Sequence, residues 1–440
     1  MNVNKIGRFV LRAMLALLAG AIVLIVLGGL FLTRPFTEEP WEEAPPHPVS
    51  IYRGGESGSA TAAEIPLISP FHLQADPMKA LLLINFGEDP DSIYVGFEPQ
   101  SFDDALHGRG LLVIGWRLDG RVDVFHQEGL RLDPRTYGIT GKGLHEMVER
   151  PFSEAILEFG PAGVQADITF RDLQGRQVRL IVKESDLRGR TPFGLLAPMG
   201  GDAHDPPALP LVYVDQFYFV RQAGTEILIE IDGRSHQGDS IPLILDGTRV
   251  HFHRYSMAPF IVTWNPDTEA MVRTLEAHPE GDSGPLVSHA DGVRYELEAN
   301  GAYREIRRMS LREDEHEILV EFTPAIPQLL ALADGATAAG AFRITAQAGL
   351  GTVRGSWSVS RQDRELHLEI TPEGGWTPGP APRMARLLFR AVPIFREWPA
   401  TYRWRGTIQL PPPDGRPEMP PSKLFEAPLA FHSGWERIAR

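Results

Sequence analysis

Residues 281–284 read Gly-Asp-Ser-Gly, the spelling of a nucleophile loop in which a serine hydroxyl attacks an acyl carbon. Ser283 needs two helpers for that chemistry, a histidine base and a buried carboxylate that orients it. No Thr-Ala-Ala-His stretch precedes it, and Gly284 runs straight into Pro285. Trypsin-like proteases are also stapled by disulfides, and this chain has no cysteine. The pattern occurs a second time, as Gly-Asp-Ser-Ile-Pro-Leu at 238–243. Each copy is followed by Asp-Gly-x-Arg, at 246–249 and again at 291–294. Used twice, it spells turn, short strand, turn: Asp and Ser bond their own backbone, Gly allows positive φ, and Pro marks a strand start. Neither Ser283 nor Ser240 reads as a nucleophile.

Other groups could do chemistry. His251 and His253 flank Phe252. On a strand, positions i and i+2 share a face, so both rings could meet one metal, with His236 as a third ligand. The competing reading is a polar strand face beside Glu226 and Glu230. No third ligand sits at a metal-binding spacing, so no metal and no cofactor is expected. Asp103, Asp104 and His107 form a polar knot after Phe102. Paired acids can divide into acid and base roles, or the knot is a solvated turn. His126 shares a face with Val124 and reads as a satisfied core histidine.

The most distinctive stretch is 191–219. A loop rich in Gly and Pro carries Asp202, His204 and Asp205, and a strand dense in aromatics follows. Strict alternation places Tyr213, Asp215 and Phe217 on one face. An acid among aromatics suits an apolar ligand pocket with one polar anchor, and Trp264 is a further expected wall. The alternative is a core strand whose Asp215 caps the loop. The runs GLLAPMG (194–200) and PLVYVDQFYFV (210–220) resemble a segment of the lipocalin-like carotenoid hydratase and AttH group. The resemblance implies two consecutive lipocalin-like β domains and a pocket for a long apolar molecule. It also implies that Tyr213 and Asp215 are the place to look for hydration of a double bond.

The elements that must carry these residues are strands. Residues 166–183 alternate apolar and polar around a turn at 173–176, and 112–125 do so around Asp119-Gly120. Further period-two runs lie at 217–231, turning at Ala223-Gly224, and at 243–252, turning at Asp246-Gly247. Strands of this length with frequent Gly turns define an all-β sandwich or barrel. Residues 65–265 form one β domain and 286–412 a second, joined by a helical connection over 266–285 whose core is the amphipathic run 267–278. A Pro-rich tail, 413–440, ends apolar and docks back on the body.

Residues 13–33 hold 21 positions without a charge, enough for a helix to cross a ~30 Å hydrocarbon core. Lys5, Arg8 and Arg12 precede the run, and Glu38, Glu39, Glu42 and Glu43 follow it. The positive-inside rule keeps the N-terminus cytoplasmic and exports the rest, leaving 1–36 as tip and anchor. The run is longer than a signal-peptide core of about 7–15 residues and lacks a small-x-small site after Thr33. Residues 37–64 are acidic and Pro-rich and read as a solvated spacer. With 57 acidic against 43 basic residues, the net charge is -14, which excludes a nucleic-acid partner. The sequence thus points to a membrane-anchored, extracytoplasmic β protein that binds a lipid or isoprenoid. A hydratase or isomerase on the same scaffold, or a structural envelope component, is the alternative.

Overall fold

The computed structural model describes residues 28–53, 65–198, 205–266, 271–281, 284–313, 315–347, 349–410 and 429–438. Nearly all regular structure in them is β, as the period-two patterning requires.

The first region is a sandwich of two sheets. The larger has ten strands. Its main path runs Phe193–Ala197, Leu209–Arg221, Thr248–Trp264, Ala80–Asn85, Tyr94–Asp104, Gly108–Arg117, Val122–His126, Leu144–Glu149. Ser240–Leu245 and Leu73–Pro77 pair with opposite ends of the long strand Thr248–Trp264. The smaller sheet has five strands, in the order Arg234–Ser235, Thr225–Ile231, Gln177–Glu184, Gly163–Arg171, Glu154–Gly160. The two pack through aromatic side chains: Phe170 lies 4.9 Å from Phe125 and 6.0 Å from Phe97, ring centre to ring centre, and Phe159 lies 5.4 Å from Tyr255.

The second region is a ten-stranded antiparallel meander from His278–Pro279 to Ala430–Arg437, each strand pairing with its neighbour in the chain. Its two end strands do not pair, and the first region likewise has open edges, so neither forms a closed barrel among the described residues. The sandwich and the meander share one continuous apolar core. Trp264 is fully buried there, with Phe342 5.1 Å and Trp435 6.1 Å away. The Trp435 indole donates to the Trp264 carbonyl at 2.8 Å, and the Tyr295 hydroxyl to the Phe71 carbonyl at 2.8 Å. The chain end is therefore the last strand of the meander.

Several expectations change. Within 267–278 the described part is extended: Arg273–Leu275 is a strand that pairs with Leu67–Ser69. Tertiary pairing overrides the helical pattern of a short polar run. Residues 217–231 are not a hairpin, because Thr225–Ile231 leaves the large sheet and pairs with Gln177–Glu184 in the small one. The turn at Ala223-Gly224 crosses between layers. The acidic spacer is not free either. Trp41 lies under the guanidinium groups of Arg343 (5.0 Å) and Arg354 (5.8 Å), and Glu43 pairs with Arg307 at 2.5 Å. Tyr52 is buried, stacked 3.9 Å from Tyr303 and bonded to Glu305.

The apolar run 13–33 lies mostly outside the described residues. Its end, 28–32, is helical, with Leu30, Phe31 and Leu32 exposed. No helix among the described residues is long and apolar enough to cross a bilayer.

Candidate ligand-binding cleft

Among the described residues, every strand pair is antiparallel except one. Val122–His126 and Leu144–Glu149 run parallel, and a parallel neighbour cannot be reached by a tight turn. The intervening residues 127–143 must cross over the sheet. They do so on the face that turns away from the five-stranded layer, and they roof a cavity of about 220 Å³. A short 3-10 turn, Pro134–Tyr137, stiffens the roof. The Asp133 carboxylate caps it by accepting from the Arg135 N–H at 2.9 Å, and Pro134 supplies a preset φ. The roof is fastened to the turn before Gly108. Arg131 donates from its backbone to the His107 carbonyl at 2.9 Å, and from its side chain to the carbonyls of Ala105 (2.6 Å) and Leu106 (3.0 Å).

Strand alternation decides which side chains line the cavity. Leu81, Ile114, Val212 and Ile261 form its apolar floor, and Met78 and Tyr137 close it. Glu98 rises from the floor between them. Its carboxylate accepts from Gln100 Nε2 at 2.9 Å and from the Trp116 indole at 3.2 Å. Glu98 is half-buried, and the surface it keeps faces the cavity. Burial raises its pKa above the usual glutamate range, and the opposing pull of Gln100, Arg254 and Trp116 does not restore it.

At one edge His107 is clamped between two carboxylates. Nε2 lies 2.8 Å from Asp76 and Nδ1 3.1 Å from Asp104. Burial disfavours the imidazolium, but Asp76 and then Asp104 outweigh it, so the pKa is raised. Asp104 also caps its turn, accepting from the backbone N–H groups of Leu106 (2.8 Å) and His107 (2.7 Å). Asp103 turns outward to Lys79 (3.8 Å) and Arg109 (3.9 Å). The site is thus an apolar slot with one desolvated carboxyl on its floor and a charged His–Asp clamp at its rim. No family model, curated protein or solved structure matches the chain.

The expected pocket residues sit elsewhere. Tyr213 and Trp264 are fully buried on the other face of the same strands, while their neighbours Pro210, Val212, Ile261 and Thr263 line the cavity. At Asp215 the alternation itself breaks. Phe193 pairs with Phe217 but Leu195 with Val214, so three steps on one strand face two on the other. Gln216 takes up the extra residue with φ 50°. Asp215 accepts from the Gln216 N–H at 2.8 Å and from Gln347 of the meander at 3.2 Å, and it does not line this cavity. Phe217 packs edge-on against Phe193 at 5.2 Å.

His251 and His253 do share a side, their rings stacked 5.4 Å apart. His253 Nδ1 accepts from the Asn85 N–H at 3.1 Å, and burial, with His251 and Arg254 nearby, lowers its pKa to about 3. His236 bonds the Asp89 carbonyl at 2.8 Å. No group of three metal-type ligands occurs among the described residues. His126 is half-buried, its Nδ1 3.1 Å from the Gln127 carbonyl. Asp202, His204, Asp282 and Ser283 lie outside the described residues. The residues on either side of Asp282 and Ser283 pair with each other: Pro279 pairs with Leu286, and the Glu280 N–H donates to the Pro285 carbonyl at 2.9 Å.

Proposed function

We propose that this chain is a membrane-anchored, extracytoplasmic protein that binds an apolar ligand, such as the end of a lipid or isoprenoid, beneath the 127–143 roof. The observation that carries the reading is an apolar cavity of about 220 Å³ under a crossover segment, with a single desolvated carboxyl on its floor. Sites for drug-sized molecules span roughly 300–1,000 Å³. This one therefore takes a short molecule or one end of a long one. Apolar surface supplies affinity at about 25 cal/mol per Å² buried, and Glu98 fixes orientation by bonding a hydroxyl or other donor on the ligand.

The test uses the full chain in detergent, titrated with a series of fatty and isoprenoid alcohols and read by native mass spectrometry. Saturable one-to-one adducts are expected from wild type and not from Val212→Trp, which fills the floor. Absence of adducts across the series, or their persistence in Val212→Trp, overturns the reading.

A second reading, hydration or isomerisation of a carbon–carbon double bond, is favoured by the raised pKa of Glu98: its carboxyl can give a proton to one alkene carbon, and the carboxylate then takes a proton back, from the water that adds to the other carbon in hydration or from a neighbouring carbon in isomerisation. Glu98→Gln separates the two. Adducts that form normally while product disappears support catalysis; no product from wild type in any condition leaves binding alone.

A further inference from the structure

We propose that the segment Arg383–Glu397 is a membrane-contact surface, which binds anionic phospholipid head groups beside the point where the apolar N-terminal run leaves the bilayer. It rests on the anchor reading above. The segment consists of two helices, α1 (Arg383–Ala391) and α2 (Ile394–Glu397). In a chain of net charge -14 it inverts the local balance: Arg383, Arg386, Arg390 and Arg396 stand against the single acid Glu397.

The N-terminal run delivers a fifth guanidinium, Arg34. Arg390 Nη1 donates to the Leu32 carbonyl at 2.6 Å, and Nη2 to the Pro35 carbonyl at 3.3 Å. The same guanidinium lies 4.0 Å over the Phe36 ring, and Phe36 packs 6.4 Å from Phe389 of α1. These contacts fix α1 against the residues that directly follow the helical stretch 28–32 and its exposed Leu30, Phe31 and Leu32. Among the described residues, none of these five arginines has an ion-pair partner. Burial and then the nearby charges of Arg34 and Arg386 disfavour the charge on Arg390, and a phosphate would relieve the repulsive part. Ile394, between Arg390 and Arg396 in the chain, is exposed. Arginines without an ion pair, exposed apolar side chains and a chain about to enter hydrocarbon are what an anionic interface recognises.

Full-length protein in phosphatidylcholine vesicles, with and without phosphatidylglycerol, tests this by hydrogen exchange at 383–397. Exchange should slow only with the anionic lipid. Replacing Arg383, Arg386 and Arg396 by Gln, while keeping Arg390, should cost about fivefold in that protection per arginine removed. Equal exchange in both vesicles overturns the proposal, as does equal protection by free inorganic phosphate. Carbonate extraction of the same vesicles reads the anchor separately. A chain that resists extraction but ignores lipid charge defeats the surface alone; one that is extracted yet protected by anionic lipid defeats the anchor alone.

Discussion

Glu98 and His107 titrate in the same cleft but tie stability to pH in different windows. The folded state raises the pKa of Glu98, so its neutral form suits the fold and its charged form costs stability. That cost is absent below the ordinary glutamate range, about pH 4, and grows as pH rises through the raised value. Glu98→Gln should therefore raise the thermal midpoint at neutral pH and have no effect in acid. A pH series of melting curves checks it; a destabilised variant at pH 7 would sink the burial argument. His107 is also raised, but its charged form is the favoured one. Its stabilisation is complete below the ordinary histidine range, about 6.5, and is lost as pH climbs through the higher folded value. His107→Gln should cost about 2 kcal/mol at pH 6 and progressively less in alkali, with faster hydrogen exchange over 127–143. Asp104 and His107 were visible in the sequence because a Phe-Asp-Asp-x-x-His turn concentrates polar groups. Glu98 was not, since one acid in a strand looks the same whether its face meets water or a covered slot.

At the scale of elements, tight turns were the most legible feature. Asp246-Gly247 and Asp291-Gly292 both take positive φ at both residues and close hairpins, as their types demand. Two elements could not be read locally. The bulge at Gln216 comes from pairing with Phe193–Ala197, so strict alternation through 213–219 misassigned Asp215. The parallel strand Leu144–Glu149 is half-exposed, and nothing in its composition announces that 127–143 must cross over a face. The acidic strap 38–46 misled in another way: Pro and Glu read as solvated spacer, but Arg343 and Arg354, some three hundred residues away in sequence, give Trp41 a seat. Trp41→Ala should loosen it by roughly 1 kcal/mol, the worth of such cation–π contacts. Glutamate-specific proteolysis should then cut at Glu38–Glu43 several-fold faster; unchanged cleavage would show that the strap is held elsewhere.

For the molecule as a whole, composition and periodicity set the fold class but not the way the two β regions join. Trp264 and Trp435 are 171 residues apart in sequence, yet one indole bonds the other's backbone in a shared core. No local pattern contains that distance, which is why two consecutive domains were the natural expectation. Trp435→Ala should cost about 3–5 kcal/mol, as large core truncations do, and should broaden or lower a single unfolding transition common to both regions. Two separate transitions, with only the later one shifted, would mean that the regions fold independently.

The last strand of the meander, Ala430–Arg437, carries a timing constraint. Synthesis from the N-terminus delivers Trp41 and Tyr52 first, but their partners Arg343, Arg354 and Glu305 much later, and Trp435 later still. Contacts of such long sequence separation form slowly. Until Ala430–Arg437 has been made, the edge Tyr402–Gln409 and the side of Trp264 that meets Trp435 stand uncovered, which invites capture by neighbouring chains. Nascent chains stalled before Ala430 should therefore be rich in exposed tryptophan and need a holding chaperone, whereas chains that include Trp435 should not.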